Sequence, residues 1–485
     1  MAHSADDAVS KHAPLGLWDV VSIMLGIVVG AGIYETPPLV LQNVAGPWEA
    51  LAAWALGGVM SLVGAFCFAE LAAAYPHSGG DYVYLTRAFG AWLGFLFAWF
   101  QLVIIRAANI AMMAFVFVDY AASISNVPFA WQWVWASAAV VFLTLLNLLG
   151  VVFGKRTQNV LTLAKVIGLA CVLVVGFTVE WNTGSVQARH GAEHFGRPSL
   201  ATAMVLVLLT YGGWNDAAFV AAEVRGGPRN IARALVVGTA AITLLYLLLN
   251  AAFLWGLGFD QARQSHAIAA DLLEHRLGPW GGRAIALLVM VSALGAINGM
   301  LFSGARVYAS LGVDHPVFAW LGRVHQRTRT PWGALIVQSA ISLALIGVVG
   351  TPAGRAFVND ALKGAGLSAI QWEGHGGFEV LSVVTTPLFW LFFLGSGLSV
   401  FVLRQRDPHL PRPFTVPLYP EVPLLFCGMC AYMIWAGITY AQAIHLLGGL
   451  FVVTGVLTAI GLLLYRVSQK MDMDRPSGGG GKPPR

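Results

Sequence analysis

The chain has 485 residues, of which 58% are hydrophobic and 11% charged. A water-soluble domain carries about a quarter charged residues, so this composition excludes a soluble globule and a disordered chain alike. The formal net charge of +5 comes from 28 Lys and Arg spread over many short segments, with no basic face of the kind that binds nucleic acid.

A membrane-crossing helix needs about 20 mostly apolar residues. Twelve such runs follow one another, at roughly 16–38, 46–75, 88–122, 130–152, 158–182, 199–225, 233–258, 281–311, 333–351, 378–404, 419–440 and 444–467. The sequence therefore predicts an all-α polytopic membrane protein of 12 transmembrane helices. Residues 1–14 carry Asp6, Asp7 and Lys11 without the apolar core and small-residue cleavage site of a signal peptide, so they are expected to be a cytoplasmic tail before a retained first span. With that orientation, 19 Lys and Arg fall inside, 7 outside and 2 within spans, which predicts both termini cytoplasmic. The Gly/Pro/Lys-rich end of the chain predicts a disordered cytoplasmic tail over 468–485.

Two of the runs are interrupted where a spanning helix ordinarily avoids glycine. The first holds Gly30, Ala31 and Gly32, the sixth Gly212 and Gly213, and five spans separate their starts. Broken helices in matching positions of two halves point to an inverted-repeat transporter with its site near the midplane. The expected organisation is a first repeat at 15–182, a second at 199–404, and two further spans at 419–467. Unwound backbone in hydrocarbon costs several kcal/mol per unpaired group, so it persists only where protein or a cavity satisfies it. A bound zwitterion would do so. N–H groups around Ala31, Gly32 and Ile33 suit a carboxylate at a helix start, while carbonyls at Val28 and from Leu209 through Thr210 to Tyr211 suit an ammonium. The bland alternative is that these glycines serve only close helix packing.

Cys67, Cys171, Cys427 and Cys430 all lie in predicted spans. The Cys427-Gly-Met-Cys430 spacing has no neighbouring His or Cys pair and reads as packed thiols, so no metal site and no cofactor are expected. The sequence has no Asn-x-Ser/Thr acceptor and no phosphate-binding Gly-x-x-x-x-Gly-Lys-Ser/Thr loop, which argues against a primary pump. An intramembrane enzyme would need a metal cluster or nucleophile elbow, and the membrane acids are scattered. A channel or sensor that keeps the fold without stoichiometric transport is the remaining different-class reading.

Several motifs in order resemble a known family. They are Gly30-Ala31-Gly32-Ile33-Tyr34, Ala45-Gly46-Pro47, Phe68-Ala69-Glu70-Leu71, Ser78-Gly79-Gly80-Asp81-Tyr82, Arg87-Ala88-Phe89-Gly90, Ile105-Arg106-Ala107, Tyr211-Gly212-Gly213-Trp214-Asn215, Asn298-Gly299 and Arg412-Pro413-Phe414. Together, over about residues 15 to 470, they resemble the L-type amino acid transporter family of the amino acid-polyamine-organocation superfamily, in its prokaryotic permease form. The resemblance implies a leucine-transporter-like 5+5 inverted repeat with helices 1 and 6 broken, alternating access, and carriage of L-amino acids by exchange or with protons. It implies substrate-lining roles for Val28, Gly30, Ala31, Gly32, Leu209, Gly212 and Asn215; Ile33 and Thr210 adjoin them. Ala31 stands where many relatives have Ser, and Leu209 where many have Phe. The mammalian relatives' heavy-chain cysteine after span three has no counterpart in 121–131, so no disulfide-linked heavy chain is expected. The partners implied are a small amino acid or amine and membrane lipid, with monomer and homodimer both open.

Lys165 is the most informative charge. An ammonium mid-helix costs about 3 kcal/mol even on lenient scales, so it is expected to face a partner inside the protein. It matches the span-five lysine that replaces sodium in sodium-independent relatives by bridging spans one, five and eight. The alternatives are snorkelling, since Arg156 is only nine residues away, or proton coupling. Glu35 and Asp216 stand where relatives are usually apolar or aromatic. They read either as a first-turn acid and a local cap, or as one acidic patch for a cationic side chain, a polyamine or a proton. Arg106 and Glu70 read as ties between helices, and Glu223 as a partner of nearby arginines. The function expected is a sodium-independent secondary transporter of neutral L-amino acids in the plasma membrane, with a cationic amino acid or polyamine carrier as the alternative.

Overall fold

In the computed structural model, residues 15–473 are described, apart from 31, 126–127, 179–198, 266, 365, 367–368, 371, 373–376 and 444–445. The chain is an all-α polytopic membrane protein. Among the described residues, ten helices are long and apolar enough to cross a membrane, and a bent pair makes eleven. That pair is α1 (Leu17–Val28) and α2 (Gly32–Gln42), set at 53° to each other.

The elements then run α3 (Pro47–Ala74), the short α4 (Asp81–Phe89), and α5 (Ala91–Ser125), which contains one π-helical turn at Gln101–Ile105. Next come α6 (Gln132–Leu148), a shorter apolar helix, and α7 (Val151–Thr178). α8 (Leu200–Thr210) stops at a turn and continues as a 3₁₀ segment, Trp214–Glu223. After it lie α9 (Pro228–Leu257), the short α10 (Phe259–Gln264) and α11 (Ile268–Leu277), then α12 (Pro279–Asp314), α13 (Trp332–Gly350), α14 (Pro352–Gly364), α15 (Gly377–Arg406), α16 (Glu421–Ala443) and α17 (Leu447–Met473).

The last helix carries order through Met473, into the stretch expected as a disordered tail from 468; residues 474–485 lie outside the described part, as do 1–14. The stretch 350–377 contains α14, while Glu373 and His375 fall outside the described residues.

Helices in hydrocarbon gain no hydrophobic driving force from meeting each other, so they associate through close backbone approach and buried polar ties. Both devices are visible. A Cβ at Gly58 of α3 would stand 2.1 Å from Cγ2 of Thr243 in α9, so only glycine lets these two helices pack at this distance. At the polar end, buried Glu70 of α3 accepts Nε of Arg404 at 2.8 Å, Nη2 at 2.6 Å and the Val416 N–H at 2.6 Å, with Arg412 3.4 Å away. One carboxylate thus pins α15 and the loop after it to α3. Tyr75, beside it, donates to Asp407 at 2.6 Å.

Candidate functional site

The two interruptions meet. A Cβ on Gly32, the first residue of α2, would lie 3.2 Å from the Thr210 side chain at the end of α8. Gly213 adopts φ +105, where an L side chain is strained, and a Cβ there would be 2.8 Å from Ile27 of α1. Glycine is needed at 213 on both counts, and the turn it permits lets the second break lie against the first.

The backbone groups freed by the first break can be followed one at a time. Gly30 N–H turns back to Val28 O at 2.8 Å instead of continuing the helix to Gly26 O. Lys165 of α7 takes over: its Nζ donates to Gly26 O at 2.9 Å and to Val29 O at 2.5 Å. Ser292 of α12 also donates to Val29 O, at 2.6 Å. Lys165 is 0% exposed, so it does not snorkel. Three helices, α1, α7 and α12, therefore converge on one carbonyl, with a fixed ammonium among them.

Three of the carbonyls expected to be free for a substrate ammonium, those of Val28, Leu209 and Thr210, are engaged in this conformation. Leu209 O accepts from Gly212 N–H at 3.1 Å. The hydroxyl of Tyr246, fully buried in α9, lies 2.9 Å from Val28 O and 3.3 Å from Thr210 O. An O–H has a single proton, so this hydroxyl serves either break and ties one to the other. An unpaired carbonyl in a low-dielectric interior is costly, and in this closed arrangement the protein supplies the donors. The N–H groups of the first turn of α2, Gly32 and Ile33 among them, lack a carbonyl one turn earlier in their own helix and carry its positive dipole end. Ala31 lies outside the described residues.

The remaining site residues separate into distinct places. Leu209 turns a side chain that is 44% exposed. Asn215 is buried and donates to Asp81 at 3.4 Å. Asp216, expected as a local cap or as half of an acidic patch with Glu35, is instead gripped by both terminal nitrogens of Arg106 in α5, and Ser303 of α12 donates to it at 2.7 Å. Glu35 is approached by the Tyr120 hydroxyl of α5 at 3.4 Å. The two acids have different partners, and the pairing of Asp216 explains why a carboxylate is tolerated there: Arg106 balances its charge. Glu223 pairs with Arg306 of α12 at 2.8 Å. Arg306 is buried with its guanidinium carbon 3.8 Å from the centre of the Phe302 ring. Three of the four cysteines are buried, all four are free, and no group of three His, Cys, Asp or Glu suited to a metal occurs among the described residues.

Sequence reading missed Tyr246, Ser292 and Ser303. Each is a single hydroxyl in an otherwise apolar or small-residue run, and only the meeting of helices reveals what it bonds.

The amino acid permease family matches residues 15–462. This chain belongs to the amino acid permease family. The permease is 28% identical over 474 residues to mouse b(0,+)-type amino acid transporter 1, covering 96% of this chain and 91% of that protein. It is 27% identical over 429 residues to the serine/threonine exchanger SteT of Bacillus subtilis, covering 87% and 90%. Against mouse large neutral amino acids transporter small subunit 2 the identity is 26% over 447 residues, covering 90% and 79%. The chain is accordingly a permease rather than an enzyme.

Proposed function

We propose that this permease exchanges neutral L-amino acids across the membrane without sodium. The observation that carries this reading is the Lys165 ammonium, buried against Gly26 O and Val29 O at the first break, where it supplies the positive charge that a bound cation would otherwise provide. The names of the relatives, an exchanger and two amino acid transporters, support the class of solute and the exchange. The substrate carboxylate meets the first turn of α2 around Gly30, Ala31, Gly32 and Ile33. Its ammonium displaces the Tyr246 hydroxyl from Val28 O and meets the Leu209 to Gly212 turn. Main-chain groups read only what all amino acids share, so side-chain choice rests with the walls. The cationic alternative loses one of its two acids, because Asp216 is already paired with Arg106.

The 5+5 inverted repeat is part of the proposal. Its support is that the expected counterpart spans pack together: the two broken spans meet first half against second half, α1 on the 3₁₀ segment and α2 on α8, and α3 packs on α9, α5 on α12 and α6 on α13. A two-fold axis in the membrane plane brings equivalent helices side by side in this way. Adding α6 to the bent pair and the ten long helices gives the twelve spans. Cytoplasmic termini, the plasma membrane and the absence of a disulfide-linked heavy chain remain with the sequence reading.

Uptake of labelled neutral amino acids into proteoliposomes, with and without amino acid inside and with sodium replaced by choline, tests the reading. Uptake that needs internal amino acid and ignores sodium is expected. Sodium-dependent uptake, or preference for arginine or putrescine over all neutral substrates, refutes it.

A further inference from the structure

A second polar cluster lies on the inner side of the breaks, and its charges do not balance. Asp81, at the start of α4, is 0% exposed. One of its oxygens accepts from Ser396 of α15 at 2.5 Å and the other from Asn215 of the 3₁₀ segment at 3.4 Å. Asp216, next along that segment, is 4% exposed and Arg106 is 5% exposed. The titratable groups around Asp81 are Asp216 from the 3₁₀ segment, Arg106 from α5, and Tyr84 on its own helix; Tyr308 of α12 stands beside Arg106 and Asp216 and donates to Gln101 O at 3.1 Å. α15 presents a serine hydroxyl. With both tyrosines neutral, two carboxylates share one guanidinium.

A buried cluster with an uncompensated negative charge is expensive, and taking up a proton is the ordinary remedy. Arg106 decides which acid takes it. Both of its terminal nitrogens sit on Asp216, whereas the hydrogen-bond donors to Asp81 are neutral. Burial pushes the Asp81 carboxyl up to about 7.

We propose that Asp81 is a proton-binding site that makes sealing of the inner mouth depend on cytoplasmic pH. The segment before α4 is closed on the 3₁₀ segment: Gly79 N–H donates to Phe219 O at 3.1 Å, and a Cβ on Gly80 would stand 2.5 Å from the Phe219 ring. When the 3₁₀ segment moves away to open the site inward, Asn215 leaves Asp81, Phe219 leaves Gly79 and Gly80, and water reaches the carboxyl. The carboxyl O–H bond then breaks, the proton passes to water and a carboxylate remains; resealing takes one proton back from the same solution. No net proton crosses the membrane, which accords with exchange. The proposal rests on the transport reading and on the orientation that places this loop inside.

Two measurements on the full-length protein test it. In sided proteoliposomes, wild-type exchange is expected to slow about tenfold as the inner pH rises from about 6 to about 8, the change in protonated fraction for a group titrating near 7. Outer pH is expected to have no such effect, and Asp81→Asn is expected to flatten the inner-pH dependence. In purified protein, infrared titration is expected to show a protonated-carboxyl stretch at neutral pH that is lost in Asp81→Asn. Asp216→Asn is expected to lose it as well, because Arg106 is then free to hold Asp81 ionised. A stretch that survives in Asp81→Asn, or one missing from wild type, overturns the proposal. So does inner-pH dependence unchanged by the substitution. Absence of exchange in wild type would defeat the transport reading instead, and the infrared result stands apart from it.

Discussion

Tyr246→Phe removes one oxygen and leaves the ring, which is held by Trp54 at 5.7 Å and Tyr211 at 5.0 Å between centroids. Packing is therefore kept and the effect isolates the hydroxyl. That hydroxyl donates to Val28 O or to Thr210 O. Val28 O retains the Gly30 N–H at 2.8 Å, so one carbonyl rather than two is left without its donor. A buried acceptor so deprived costs about 1–3 kcal/mol. With one carbonyl partly covered, about 1–2 kcal/mol is expected, or roughly a 5–30-fold change in the equilibrium between joined and separated breaks. Exchange measured separately from each face reads this as a change in KM of that order on at least one side. Tyr211→Phe is the control, since its hydroxyl donates to Trp54 O at 3.1 Å, away from both breaks, and is expected to change KM little. If Tyr246→Phe keeps both KM values within about twofold of wild type while Tyr211→Phe does the same, the bridging hydroxyl has no part in the cycle and the reasoning fails.

Lys165→Met is expected to separate stability from function. The substitution relieves a buried charge but leaves Gly26 O without a donor, while Val29 O keeps Ser292, at about 1–3 kcal/mol, so the thermal midpoint in detergent should fall by several degrees while exchange falls at least tenfold; wild-type exchange rates in this variant would remove the lysine from the mechanism. Asp216→Asn breaks the close buried pair and leaves only the Asp81 carboxylate, which makes no hydrogen bond to Arg106, to balance the guanidinium, so up to about 3–5 kcal/mol is lost, whereas Glu35→Gln gives up only a long contact to Tyr120. Thermal melting should therefore fall sharply for the first and little for the second, and equal melting of the two would refute the assigned pairing. Because burial raises the Asp81 carboxyl to about 7, the folded protein binds more protons than the unfolded chain between about 4 and 7. Stability from this group declines as pH rises through that window and levels off above it. Melting followed from pH 5 to pH 8 should show the decline, flattened in Asp81→Asn; a rise with pH that the substitution abolishes would reverse the sign of the argument.

What the sequence made legible was local. Gly212 and Gly213 announce a break because glycine in a spanning run is conspicuous, and Lys165 announces a partner because an ammonium in hydrocarbon demands one. Neither inference needs to know what lies across the interface. Asp216 is the opposite case: its meaning depends on Arg106, 110 residues earlier, and without that partner a cap and a cation site were equally good accounts of the same carboxylate. Asp81 was harder still. It follows Pro76-His77-Ser78-Gly79-Gly80, a stretch with the composition of a surface turn, so hydropathy gives no sign that the carboxyl ends up fully buried. Both acids are explained by one buried guanidinium, and its capacity is the physical limit: Arg106 spends both terminal nitrogens on Asp216, so a second buried acid must be neutral. The resemblance could supply the place of Asp81 in a motif, but its protonation follows only from counting charges after the helices have met.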